Sequence, residues 1–179
     1  MKLREEVTAR LETQALPPAK DCIVVSIDQQ KLWHFRGADC RVYVVSTARA
    51  GRGCVQDSLR TPVGLHRICA KFGDDAAPGM VFKARRPTGQ RATPADSVTE
   101  NLITSRILWL DGLEPGLNRG RDSSDRVVDT KERFIYLHGT NQTARLGQPN
   151  SHGCVLLADD DIIGLYGQVP VGTIVLLRD

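Results

Sequence analysis

Apolar residues recur at every fourth position where the chain begins: Leu3, Val7, Leu11 and Ala15. That spacing lays one stripe along a helix, and Pro17-Pro18 cannot continue it, so the pattern predicts an amphipathic helix over 3–15. From residue 21 the period shortens. CIVVSID, KLWHF and RVYVVST are short, β-branched and aromatic runs separated by polar turns, which predicts a β-meander. A glycine-rich link, ARAGRGCVQDSL, leads to TPVGLHRICAKF, where Pro62 and Gly64 mark a turn into another strand. Residues 73–100 read as loops around a single strand, MVFKA, and SRILWLDGL and ERFIYLHG read as two more strands. Between them lie residues 114–131, with little apolar content; a loop of that length inside a compact domain is usually functional or mobile. Asp159, Asp160 and Asp161 precede IIGLYGQV and are expected to cap a short helix, and VGTIVLLRD closes the chain as a strand. The expected fold is mainly β, a sandwich or partly closed barrel, with a helical extension over 1–20 and one main domain over 21–179.

Composition narrows this picture. With 179 residues, 41% hydrophobic and 25% charged, the chain is the size of one globular domain. A net charge of +3, dispersed along the chain, does not suggest nucleic acid. Lys2 and Arg4 are followed at once by Glu5 and Glu6 and by no apolar core, so no secretion signal is read there, and no apolar run approaches membrane-spanning length. The five cysteines, at 22, 40, 54, 69 and 154, form no CxxC pair. Free thiols in a reducing cytoplasm are the simplest expectation, with Cys22, Cys40 and Cys69 as core thiols in strands.

Two segments carry candidate chemistry: HGT at 138–140 and SHGC at 151–154. Each sets a histidine beside a glycine near an apolar strand, and the sixteen positions from His138 to Cys154 leave room for a loop to return. A nearby imidazolium would lower the pKa of the Cys154 thiol and supply a thiolate, which makes His138 the expected base. Gly153 leaves space for a carbonyl to approach, and the N–H groups of Gly153 and Cys154 are candidate oxyanion donors. Ser151 either positions the loop or hydrogen-bonds His138. A zinc site of His138, His152 and Cys154 lacks the paired ligand spacing of such sites and a fourth ligand, so no metal or other cofactor is expected. GRG at 51–53 lacks the continuation of a phosphate loop, and His34 and His66 read as structural. The 114–131 loop is expected to act as a lid, with Arg119, Arg121 and Arg126 able to meet a substrate carboxylate.

Taken together, Thr61-Pro62-Val63-Gly64, His138-Gly139-Thr140 and Ser151-His152-Gly153-Cys154-Val155 resemble the L,D-transpeptidase (YkuD) catalytic domain family, with similarity from about residue 21 to 179. The resemblance implies a β-sandwich-like fold and a cysteine acyl-enzyme mechanism. In it Cys154 attacks the carbonyl of an L-centre joined to a D-amino acid, the substrate being a peptidoglycan stem tetrapeptide or muropeptide. It implies His138 as base, the Gly139 carbonyl as its orienting partner, His152 shaping the pocket and Thr140 near substrate. The family usually carries Arg or Asn two residues after the cysteine; here Leu156 stands there. Hydrolysis of the acyl-enzyme would make the chain an L,D-carboxypeptidase, and an amine acceptor would make it a transpeptidase. With no leader read, the resemblance points to cytoplasmic L,D-carboxypeptidase members that trim muropeptides for recycling; an inactive muropeptide-binding domain is the remaining reading.

Overall fold

The structure, a computed structural model, describes residues 2–93, 95–96 and 101–179. Helix α1 spans Lys2–Thr13, and ten strands follow: β1 Cys22–Ser26, β2 Lys31–Arg36, β3 Asp39–Val44, β4 Gly64–Phe72, β5 Met80–Lys83, β6 Arg86–Arg91, β7 Ile103–Gly112, β8 Tyr136–Gly139, β9 Val155–Leu157 and β10 Ile174–Arg178. Helix α2, Asp159–Gln168, lies between β9 and β10.

All the strands join one sheet in the order β3-β2-β1-β10-β4-β7-β5-β6, with β8 paired to both β7 and β9. The expected meander is present in β1, β2 and β3, which pair antiparallel in sequence order. The other edge of β1 is taken by β10 in parallel, so the last strand closes against the first strand of the meander. One apolar cluster gathers Ile23, Leu32, Tyr43, Leu108, Leu137, Val155 and Val175 from widely separated strands around Ile162, Leu165 and Tyr166 of α2. A flat sheet cannot bring these strands onto one helix; the sheet curls into a half-barrel around it. A second cluster on the opposite face of β1 and β10 receives Val7 and Leu11 of α1.

Some expectations are corrected locally. The helix stops at Thr13, and Ala15 is not the last position of the stripe. It takes a left-handed conformation (φ 52), while Leu16 N–H bonds Leu11 O and Ala15 N–H bonds Glu12 O, the two bonds of a Schellman ending. The residues 159–161 do not cap α2: its N-cap is Ala158, without a side-chain cap, and the three aspartates occupy the first turn, where they meet the positive end of the helix dipole. Strand β6, RPTGQR, lies where only loop was expected; it has no buried residue and is formed by pairing with β5. Of the cysteines, Cys22 is buried and Cys69 half-buried, but Cys40 is exposed, because β3 is the sheet edge and its outer face carries Cys40, Val42 and Val44. The 3–15 and 73–100 expectations otherwise fall on described residues, except for Pro94 and residues 97–100, which lie outside them.

Candidate active site

Strands β8 and β9 run parallel, with His138 opposite Leu156 and Leu137 opposite Val155. Side chains alternate across a strand, so His138 and Leu156 share a face, and Cys154, two residues before Leu156, shares it too. The alternate residues Leu137, Val155 and Leu157 enter the main core. The register therefore sends imidazole and sulfur to one side of the sheet and the strand's packing residues to the other. Cys154 rests against a separate apolar cluster of Phe82, Ile107 and Tyr136, itself half-buried.

His138 is 3% exposed, and its Nδ1 lies 2.8 Å from the Gly139 carbonyl oxygen. A carbonyl only accepts, so the proton sits on Nδ1 and Nε2 is the basic nitrogen. Burial pushes the imidazole down to about 4, with the Gly139 bond pulling it back. At Cys154 burial pushes the thiol up to about 11, opposed by the Tyr136 N–H and by Arg133. The Tyr136 N–H points at Sγ from 3.4 Å, and the thiol donates to Phe134 O at 3.6 Å. Burial thus favours neutral imidazole and neutral thiol over the imidazolium–thiolate pair expected from the sequence. The physical reason is desolvation: each charged form costs more than this environment returns.

The turn before β9 is tied from two sides. Ser151 Oγ donates to Cys154 O at 2.6 Å and accepts the Gly153 N–H at 3.1 Å. Ser151 therefore positions the loop and makes no bond to His138, and the Gly153 N–H is occupied within the turn and not free as an oxyanion donor. Thr61, first residue of the TPVG motif, donates to Gly153 O at 3.0 Å and accepts the Ala48 N–H. Gly153 has φ +138, and a Cβ there would meet Ile135 Cδ1 at 2.9 Å, so glycine is required by both conformation and space. At Gly139 a Cβ would meet Asp159 Oδ1 and the Thr104 carbonyl oxygen, which lets β8 press against β7 and α2.

A cleft of about 220 Å³ is lined by Gln56, Asp57, Leu59, Glu132, Arg133, Phe134, Ile135 and His152; it shares Phe134 with the surroundings of the sulfur, while Cys154 and His138 do not line it. His152 is exposed and lines this cleft. Arg133, which the sequence did not single out, also lines the cleft. Its guanidinium donates to Cys54 O at 2.9 Å, Gly53 O at 3.1 Å and Arg60 O at 2.6 Å, and so holds the 53–60 segment against the base of β8. Its signal was weak: one arginine in a polar stretch before an apolar strand.

The remaining predicted residues fall elsewhere. Thr140 is buried, its hydroxyl donating to Asn101 Oδ1 and accepting the Gln142 N–H, so it is a structural tie and not a substrate contact. Arg121 and Arg126 pair with carboxylates of their own loop, at Asp125 and Asp122, and neither they nor the exposed Arg119 lines the cleft. The 114–131 loop is anchored rather than free: buried Asn118 bonds Val63 O, Leu65 O and the Glu114 N–H, and Gln56 N–H bonds Val127 O. Leu156 is 1% exposed and its backbone exchanges two bonds with Ser46, so the side chain at this departure from the family pattern is a packing residue, not a surface contact. His66 is structural: buried, with Nδ1 on Gly64 O and Nε2 on Thr130 Oγ1. His34 is likewise buried in a strand.

Residues 20–177 match the L,D-transpeptidase catalytic domain family, YkuD. The chain belongs to this family. It is an enzyme domain of the YkuD type, and the sequence motifs that suggested it converge on the site just described. Its relatives include the Probable L,D-transpeptidase YcfS of Escherichia coli (strain K12), 26% identical over 171 residues covering 93% of this chain and 47% of YcfS. The Putative L,D-transpeptidase YqjB of Bacillus subtilis (strain 168) is 25% identical over 120 residues, 65% of this chain and 60% of YqjB. The chain thus spans between about half and three-fifths of the length of these relatives. Among solved structures, an L,D-transpeptidase from Mycobacterium smegmatis shares the fold at TM-score 0.52 and 18% identity, over 92% of this chain and 61% of that one. The L,D-transpeptidase from Xylanimonas cellulosilytica (residues 123–326) does so at 0.52 and 18%, over 96% and 69%. Among the described residues no helix of this YkuD domain is long and apolar enough to cross a membrane.

Proposed function

We propose that this YkuD domain is a cysteine L,D-carboxypeptidase that removes the terminal D-Ala from peptidoglycan tetrapeptides. The observation that carries the reading is the locked tautomer of His138. With the proton held on Nδ1 by Gly139 O, Nε2 can accept the Cys154 proton as sulfur attacks the carbonyl before D-Ala. The neutral resting pair makes proton removal concerted with attack, and the imidazolium formed then donates the proton to the leaving amine of D-Ala. Water, deprotonated by the same Nε2, resolves the thioester and releases the tripeptide. Of the backbone donors, we take the Tyr136 N–H, which faces the sulfur, and the Cys154 N–H as the oxyanion donors, with the Gly153 N–H serving the turn.

One feature favours water over a second stem as acceptor. The five cysteines are free, Cys40 in the open, which fits a reducing compartment and soluble muropeptides released in wall turnover. The second reading, transfer to an amine to form cross-links or exchange D-amino acids, is favoured by the name carried by YcfS. Incubation with disaccharide tetrapeptide, followed by mass spectrometry, separates them. Tripeptide and free D-Ala, lost in Cys154→Ala, support the carboxypeptidase; dimers, or exchange with added D-amino acids outpacing hydrolysis, would replace it with transfer.

A further inference from the structure

Arg85, on the β5–β6 hairpin, lies outside the 220 Å³ cleft but over the aromatic residues of the cluster on which Cys154 packs. The two strands are joined by Ala84 and Arg85, with Lys83 opposite Arg86. Both turn residues have positive φ, 47 and 66, in the two-residue turn that normally selects Asn-Gly. This turn carries Arg85 over the aromatic platform beside Cys154. The guanidinium lies 4.7 Å from the Trp109 ring centre and 5.2 Å from that of Phe134, and donates to Tyr136 Oη at 3.1 Å. Trp109 and Phe134 are themselves stacked, and Phe134 is half exposed. Tyr136 ties the two ends of the site together: its N–H faces Sγ and its phenol oxygen receives Arg85. Phe134 does the same, its carbonyl accepting the thiol and its ring lying under the guanidinium. Among the described residues no carboxylate lies within ion-pair reach of Arg85, so most of its five N–H donors are uncommitted.

We propose that Arg85 is a substrate-binding residue that takes the α-carboxylate of the departing D-residue in a bidentate pair. A flat guanidinium stacked on aromatic rings, with donors to spare, is pre-organised for a carboxylate. One tyrosine side chain separates it from the sulfur, and the carboxylate of a D-residue lies only an N–Cα–C segment beyond the carbonyl that the sulfur attacks. This assignment rests on the carboxypeptidase reading for its substrate, and it explains why that substrate is trimmed from a free C-terminus.

The test uses wild type, Arg85→Gln and Arg85→Lys with three peptides: the diaminopimelate tetrapeptide, the same peptide amidated at its C-terminus, and a tetrapeptide with lysine at the third position. Arg85→Gln is expected to raise KM for the free acid by about ten- to a hundred-fold, the range of a lost charged hydrogen bond, with Arg85→Lys between. Wild type and Arg85→Gln should handle the amide within about twofold of each other, since amide and glutamine remove the same contact. The lysine peptide should keep the full dependence on Arg85. Equal losses on acid and amide would reduce Arg85 to a brace for the hairpin and overturn the proposal. Dependence that vanishes with the lysine peptide would overturn it in favour of the third residue's side-chain carboxylate. If wild type cleaves none of the peptides, the carboxypeptidase reading fails, and calorimetry on Cys154→Ala decides Arg85 separately. A preference for acid over amide that disappears in the Cys154→Ala, Arg85→Gln double variant upholds it; no such preference overturns it.

Discussion

At the residue scale the site is governed by desolvation. A cysteine with a preformed imidazolium partner reacts at acidic pH, because the thiolate exists there. Here the thiol is pushed up to about 11 and the imidazole down to about 4, so the thiolate is scarce until the pH is high. Alkylation of Cys154 by iodoacetamide, followed by peptide mapping, is expected to keep accelerating from about pH 6 to beyond about pH 9, with exposed Cys40 as an internal reference. A rate at Cys154 that is already level below about pH 7 would restore the ion pair. The HGT and SHGC motifs that hold His138, Gly139, Ser151 and Cys154 were legible because residue type at close spacing marks them. Arg133, Tyr136 and Arg85 were not, because each acts through a fold contact: Arg133 with carbonyls more than seventy residues away, Tyr136 through its N–H, Arg85 through a turn. Thr140 misled for the same reason, its hydroxyl being absorbed by Asn101 and the Gln142 N–H.

At the element scale, apolar period found most of the described elements that bury a face, missed the three-residue β9, and failed where pairing alone makes the strand. Strand β6 has no buried side chain and exists because the Ala84-Arg85 turn folds it back on β5. The first helix was legible in Val7 and Leu11, but its end was set by backbone geometry at Ala15. Alanine in the left-handed region costs roughly 1 kcal/mol that glycine does not, partly offset by the freedom glycine gains when unfolded. Ala15→Gly should therefore raise the urea midpoint slightly, by about 0.5 kcal/mol of stability. A loss of stability would mean that the Ala15 methyl packs usefully and that the Schellman ending does not limit the helix. The 114–131 loop shows the opposite failure: low apolar content suggested mobility, while Asn118 and Glu114, both buried, fasten it to β4. Polar anchors of this kind leave no periodic trace.

For the whole molecule, the half-barrel holds two neutral histidines, His66 and His138, pushed down by burial to about 3 and about 4. In the unfolded chain both take protons near the ordinary histidine value of about 6.5. Between that pH and their folded values the unfolded state binds more protons, so stability falls as the pH drops below about 6.5 and levels off near about 3 to 4. Each imidazole accounts for up to about 3 to 5 kcal/mol of this fall. Urea midpoints at about pH 7.5 and about pH 4.5 should differ strongly, and His66→Gln should shrink the difference without touching His138 or Cys154. Equal midpoints would mean that neither imidazole is neutral because of the fold.

The proposed chemistry turns on Cys154, deprotonated by His138 during attack, forming the acyl-enzyme. The decisive measurement is intact-protein mass after exposure to a carbapenem, because a β-lactam acylates a nucleophilic cysteine with no leaving group lost. A gain of one carbapenem mass mapped to Cys154, absent in Cys154→Ala and much slower in His138→Gln, is the predicted result. No adduct, or an adduct at another cysteine that persists in Cys154→Ala, would contradict it.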